Sequence, residues 1–203
     1  MKAVLISIRP QWCEKIASGR KTIEVRKSAP KEVPFKAYIY ATKPKRFYKC
    51  GAVSTSDELL WFANGKVEMG DGFKFWADGD EYQCLNGRII GEFICDKVYS
   101  IKNRGNSFVV ANEEQGVTNE IARQSCLDYD DMVGYLGNKD GYGLHITALK
   151  IYDKPKELSE FKISCNRKNL CYSCNRFTGK PWDICNNIIT RPPQSYMFVE
   201  ELE

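Results

Sequence analysis

The stretch Ser18-Gly19-Arg20-Lys21-Thr22-Ile23-Glu24-Val25-Arg26-Lys27 constrains this chain most. Ten residues hold four cations, one carboxylate and two hydroxyls, with only Ile23 and Val25 strongly apolar. A folding core does not need that density of charge, whereas a polar site does. Strand alternation from Lys21 to Lys27 sets Ile23 and Val25 on one face and Thr22, Glu24 and Arg26 on the other. Lys21 falls with the apolar pair under strict alternation. It joins the polar face only if the chain bends just after Gly19.

The rest of the chain sets this stretch in context. Its 203 residues are 43% hydrophobic, enough for one large domain or a domain with an appendage. The net charge of +4 is unevenly spread. Residues 1–50 carry a net of +10, residues 51–150 a net of −7, and residues 151–203 a net of +1. A basic first quarter favours polyanionic partners, the bland alternative being a solvated basic face. No apolar run approaches the roughly eighteen residues of a membrane helix. The apolar start is too short for a signal peptide. The expectation is a soluble, cytoplasmic protein without a membrane partner. Nine cysteines, an odd number with no export signal, argue for thiols or a metal over disulfides.

Lys2–Ile8 reads as a first strand. Pro10 suits the first turn of a helix, Trp12, Cys13, Ile16 and Ala17 follow at helical spacing, and Gly19 stops it. Phe35–Ala41 is a further strand. Residues 42–86 read as an insertion, with a short helix expected at Asp57–Ala63 and a strand at Phe73–Trp76. Gly87–Tyr99 is a long strand in which Gly91 marks a bend or a close backbone approach. Residues 102–116 are a loop. Asn119–Gln124 and Tyr129–Leu136 are short helices, the second capped by Asp128 and closed by Gly137. Gly141–Tyr152 is another long strand, and Ser195–Glu200 a last one. Several strands with short helices at the connections predict a mainly β, α+β fold built on a small barrel.

Ser7-Ile8-Arg9-Pro10, the short helix, and Gly19-Arg20-Lys21-Thr22-Ile23-Glu24-Val25-Arg26 resemble the signature of the activating-signal-cointegrator homology (ASCH) domain, a G-x-K-x-x-E-x-R strand behind a strand and a helix. The resemblance covers most of residues 1–152, and residues 153–203 resemble an extension of bacterial and phage members. It implies a PUA-like small β-barrel with short flanking helices, a Cys-rich C-terminal extension, and a groove beside the first helix and second strand. The family is generally proposed to bind RNA, and some members act on nucleic acid or modified nucleosides. The expected ligand is therefore RNA or a modified nucleoside.

The residues support such a groove on their own chemistry. Lys21 and Arg26 are cations suited to phosphates, and Glu24 between them can accept from a base amino group or a ribose hydroxyl. Arg9 and Arg20 add charge, and Trp12 offers a ring for stacking, although core packing is the commoner role of a tryptophan. The bland reading is an ion-pair ladder on one strand. The alternative class is an enzyme using the same groove, either a ribonuclease or an amidohydrolase acting on N4-acetylcytidine. The resemblance implies, for the amidohydrolase branch, a Lys, a Thr three residues later and a Glu from another strand. Lys21 matches, but the third residue after it is Glu24. Lys21 and Glu24 are the candidate catalytic residues, with Thr22 and Glu92 as weaker ones. His145, the sole histidine, is read as structural or groove-facing. A protein-partner module remains a third class.

Cys165-x5-Cys171-x2-Cys174-x10-Cys185 is the second feature. Four thiolates fit a tetrahedral, structural zinc, and the polar segment between them needs a staple to be ordered. The alternative is four free thiols or a redox pair. The acidic stretch Asp128–Asp131 is read as a solvated face.

Overall fold

The computed structural model describes residues 1–43, 59–63, 65–70, 83–105, 107–113, 115–164 and 188–202. The expected strand at 73–76 and the four cysteines of the proposed zinc set lie outside the described residues.

The elements follow as β1 (Lys2–Ile8), α1 (Pro10–Ala17), β2 (Ile23–Arg26), β3 (Phe35–Ala41), β4 (Leu60–Ala63), β5 (Lys66–Met69), β6 (Gln83–Cys84), β7 (Ile89–Asn103), β8 (Phe108–Val110), α2 (Gln115–Ser125), α3 (Tyr129–Leu136), β9 (Gly141–Lys156), a 3-10 turn (Leu158–Glu160) and β10 (Tyr196–Val199). Three of these, β1, β3 and α3, have the boundaries read from the sequence. Alternation, β-branched residues and an Asp cap are strong local signals. Asp128 accepts from the backbone N–H of Asp131 at 2.7 Å, as a capping side chain should.

The main sheet runs β10-β1-β3-β7-β9-β2, with β8 paired to β7. β1 and β3 are parallel, and the other pairings are antiparallel. The expected barrel is not closed: β2 and β10 stand at opposite ends of the path. The physical reason lies in both ends. β2 is only four residues long, and the outer side of β10 is taken by the bridge from Ile163 to Val199. What spans from β2 to β1 is a side chain: the Arg26 guanidinium donates to the Ser7 carbonyl at 2.5 Å.

Gly91 behaves as read. A Cβ there would stand 2.4 Å from the Lys150 carbonyl oxygen, and the β7–β9 register slips beside it. The expected helix at 57–63 is corrected, because Leu60–Ala63 is a strand. It pairs antiparallel with β5, next to Gly65 at φ 74°. Asn64-Gly65 is the hairpin dipeptide that should have signalled this. The expected loop at 102–116 holds the end of β7, β8 and the start of α2.

β5-β4-β6 is a separate small sheet, yet Leu60, Val67 and Leu85 are buried in the same cluster as Ile6, Cys13, Ile16, Ile39 and Phe93. The described part of the insertion therefore shares the main core. A second cluster, Leu5, Tyr38, Phe161 and Val199, packs the C-terminal residues onto the sheet. A third joins Ile23 and Val25 of β2 to Met132 and Leu136 of α3 and Ile121 of α2. That third cluster anchors β2 and fixes where its polar face points. Among the described residues no helix is long and apolar enough to cross a membrane.

Candidate functional site

The polar face of β2 opens onto a cavity of about 860 Å³. Arg9 and Trp12 line it from the start of α1, Lys21, Glu24 and Arg26 from β2 and the turn before it, and Asp130, Asp131 and Gly134 from α3. Ser7 at the end of β1, Lys43 beyond β3, Tyr135 of α3, and Pro193 and Gln194 before β10 also line it. Strand ends, a helix start and the open end of the sheet thus meet at one place. A cavity of this size falls in the ordinary range of small-molecule sites.

Local chemistry explains how Lys21 reaches it. Gly19 has φ 73°, open to glycine without cost. The chain turns there, and the Lys21 N–H donates to the Lys15 carbonyl at 2.9 Å. Lys21 therefore precedes β2 and escapes its alternation, so the condition for it to join the polar face is met. Its side chain is only 1% exposed. The ammonium donates to the Ser125 carbonyl at the end of α2 and lies 3.4 Å from Glu24 Oε2. It also sits 5.2 Å from the centre of the Trp12 ring, which takes Lys15 at 4.6 Å. Burial lowers the Lys21 pKa, and the Glu24 carboxylate opposes that shift.

Glu24 holds the centre. Its other oxygen lies 3.1 Å from Arg26 Nε. That contact is an ion pair without hydrogen-bond alignment, and the buried Nε–H has no hydrogen-bond acceptor. Three charged side chains thus stand on the wall at 1%, 7% and 6% exposure. The four cations Arg9, Lys21, Arg26 and Lys43 outnumber the three acids Glu24, Asp130 and Asp131 along the lining. Cys13, packed beneath, has its thiol pKa pushed well up by burial, with the Glu24 charge adding to it. It is an inert core thiol.

The structure brings together Arg9, Trp12, Lys21, Glu24 and Arg26 of the sequence-derived set. It does not bring Arg20, which is exposed and paired with Glu14 at 2.5 Å. Thr22, expected on the polar face of the strand, precedes β2: its N–H donates to the Gln124 carbonyl at 3.0 Å, and it is not part of the lining. Glu92 belongs to a different cluster. It accepts from the Tyr152 hydroxyl at 2.6 Å and lies 3.9 Å from Lys36. His145 pairs in register with Ile23 and contacts Asp96 at 2.7 Å, away from the cavity. It is not part of the cavity lining.

Sequence reasoning missed Lys43, Asp130, Asp131 and Gly134. The two aspartates are exposed, as a solvated face should be, and they also form the cavity rim. No local signal distinguishes the two. Only the packing of α3 beside β2 does. Among the described residues no group of His, Cys, Asp or Glu is placed to hold a metal ion.

No protein-family model matches the chain, and no curated protein matches it. Solved structures do. The ASCH protein from Zymomonas mobilis superposes with a TM-score of 0.52 at 16% identity, over 98% of this chain and 89% of that one. Two point variants of the Zymomonas mobilis protein superpose with TM-scores of 0.51 at 15% identity, over 99% and 98% of this chain and 92% and 89% of theirs. With Lys21, Glu24 and Arg26 of the G-x-K-x-x-E-x-R stretch on the cavity lining, the chain has the fold of the ASCH proteins over nearly its whole length.

Proposed function

We propose that this protein recognises RNA or a modified nucleoside in the cavity beside β2. The observation that carries the reading is the buried Lys21–Glu24–Arg26 set on the wall of a cavity roomy enough for a nucleotide. Burying three charges for stability alone is a poor bargain, because desolvation cancels much of their attraction. A ligand that meets them in place of water gives them a use. Arg9 and Lys43 suit phosphate oxygens at the mouth. Glu24 and the Asp130–Asp131 rim suit amino or hydroxyl donors. The ASCH fold agrees with a nucleic-acid ligand.

The test is titration of a short fluorescein-labelled single-stranded RNA at rising salt. Affinity falls steeply with salt. Arg9→Ala, at an exposed position, lowers both the affinity and the salt slope, the slope by about one for each phosphate no longer neutralised. Absence of binding at low salt refutes the reading.

One observation favours a second reading. Lys21 has a lowered pKa beside a carboxylate inside a cavity, which is the setting of a general base. In that case the groove hydrolyses N4-acetylcytidine or RNA, with Lys21 and Glu24 as the working pair. Acetate release or oligonucleotide cleavage that Lys21→Met abolishes supports it. No turnover of either substrate removes it.

The four cysteines Cys165, Cys171, Cys174 and Cys185 are proposed to hold one structural zinc, on the spacing of their thiols alone.

A further inference from the structure

Gly134 sits inside α3, between Val133 and Tyr135, and lines the cavity. Its backbone is helical and asks for no glycine. A Cβ built on it would meet nothing within 4 Å, so packing asks for none either. Glycine inside a helix is nevertheless unfavourable relative to alanine, because more backbone freedom is lost on folding. Folding thus gives no reason for this residue, which is exposed and stands on the cavity lining. Asp130 and Asp131 stand one turn earlier on the same helix, so a ring lying at Gly134 has their carboxylates within a helical turn. The same cavity is lined by Trp12 and by the Lys21–Glu24–Arg26 set.

We infer that Gly134 is the specificity-determining position of the site. Its bare backbone is the platform on which the planar base of the ligand lies, edge toward the charged wall. The inference rests on the nucleoside reading above and goes beyond it by naming the group that enters and the surface that receives it. A side chain at 134 lifts the ring off α3 and shuts out the widest part of the ligand, the base, while the phosphates at the mouth keep their cations.

The experiment is a series at one position, Gly134→Ala and Gly134→Val, measured with the labelled single-stranded RNA and with cytidine. Gly134→Ala raises Tm by about 2–4 °C, the helix-propensity gain for a chain of this size. It weakens cytidine binding at least about tenfold, and Gly134→Val weakens it further. The salt slope for RNA stays as in the unsubstituted protein, since every phosphate is still neutralised. Two results overturn the inference: cytidine bound by Gly134→Ala within about twofold of the unsubstituted protein, or a loss of affinity accompanied by a lower Tm. If the unsubstituted protein binds neither probe at low salt, the nucleoside reading itself fails and this inference falls with it.

Discussion

Lys21 Nζ and Glu24 Oε2 lie 3.4 Å apart on the cavity wall, with 1% and 7% of the two side chains exposed. Glu24 is the only carboxylate within ion-pair reach of both Lys21 and Arg26 among the described residues. Removing its charge therefore leaves two buried cations facing each other. Glu24→Gln should cost about 3 kcal/mol of stability in urea titration, the usual loss when one partner of a buried pair goes. Adding Lys21→Met should restore a good part of it, because one unpaired cation is removed. A double variant no more stable than Glu24→Gln contradicts the coupling.

The pH dependence of stability reports the same lysine. Burial lowers the folded-state pKa of Lys21 below its ordinary 10.5. Between the two values the unfolded chain binds more protons than the folded one. Stability from this group is therefore missing at neutral pH and gained as pH rises through that window. Buried Tyr38 and Tyr40, whose pKa values burial raises, titrate nearby. The clean measurement is accordingly the difference between the unsubstituted protein and Lys21→Met. That difference should move in favour of the unsubstituted protein as pH climbs toward 10.5. A difference flat with pH contradicts a desolvated ammonium.

His145 and Asp96 form a pair apart from the cavity, at 2.7 Å. The hydrogen bond from His145 holds the Asp96 carboxyl below its ordinary 3.8. The stability this contributes is present above the unfolded value and lost as pH falls through the folded one. His145→Gln should let the Asp96 pKa rise toward 3.8 in a carboxyl NMR titration, with RNA affinity unchanged. Loss of RNA binding would place His145 in the site after all.

Tyr152→Phe tests the other face of the sheet. It removes the 2.6 Å hydrogen bond to Glu92 and leaves a half-buried carboxylate short of a donor. A loss of about 1–2 kcal/mol is expected in thermal or urea unfolding, again without effect on cavity binding. Coupled loss of binding would give Glu92 a role that its position does not suggest.

Much of the site was legible from one ten-residue stretch, and the reason is local. Gly19 marks a turn, and Ile23 and Val25 mark the buried rail, so Glu24 and Arg26 follow by alternation. Lys21 was ambiguous, because its face depends on a bend that alternation cannot encode. The α3 wall was not legible. Asp130, Asp131 and Gly134 come from more than a hundred residues away, and only packing through Met132 and Leu136 onto Ile23 and Val25 sets them beside β2. The open sheet was missed for a similar reason. Strand number and length suggest a barrel, whereas closure depends on what pairs with the last edge. The apolar run Leu60–Ala63 fits both the helical and the strand period, and the Asn-Gly dipeptide that follows it in the sequence is the signal that decides for a strand.

The proposed zinc set makes a separate prediction. Purified protein should carry about one zinc per chain by elemental analysis, and Cys171→Ser with Cys174→Ser should release it. Clearly substoichiometric zinc in the unsubstituted protein contradicts the assignment.

The most direct measurement is a crystal structure with cytidine 5′-monophosphate bound. The account predicts the base between the α3 wall at Gly134 and the Lys21–Glu24–Arg26 set, with the phosphate toward Arg9. A well-ordered ligand bound elsewhere on the protein, with the cavity beside β2 left to water, would contradict it.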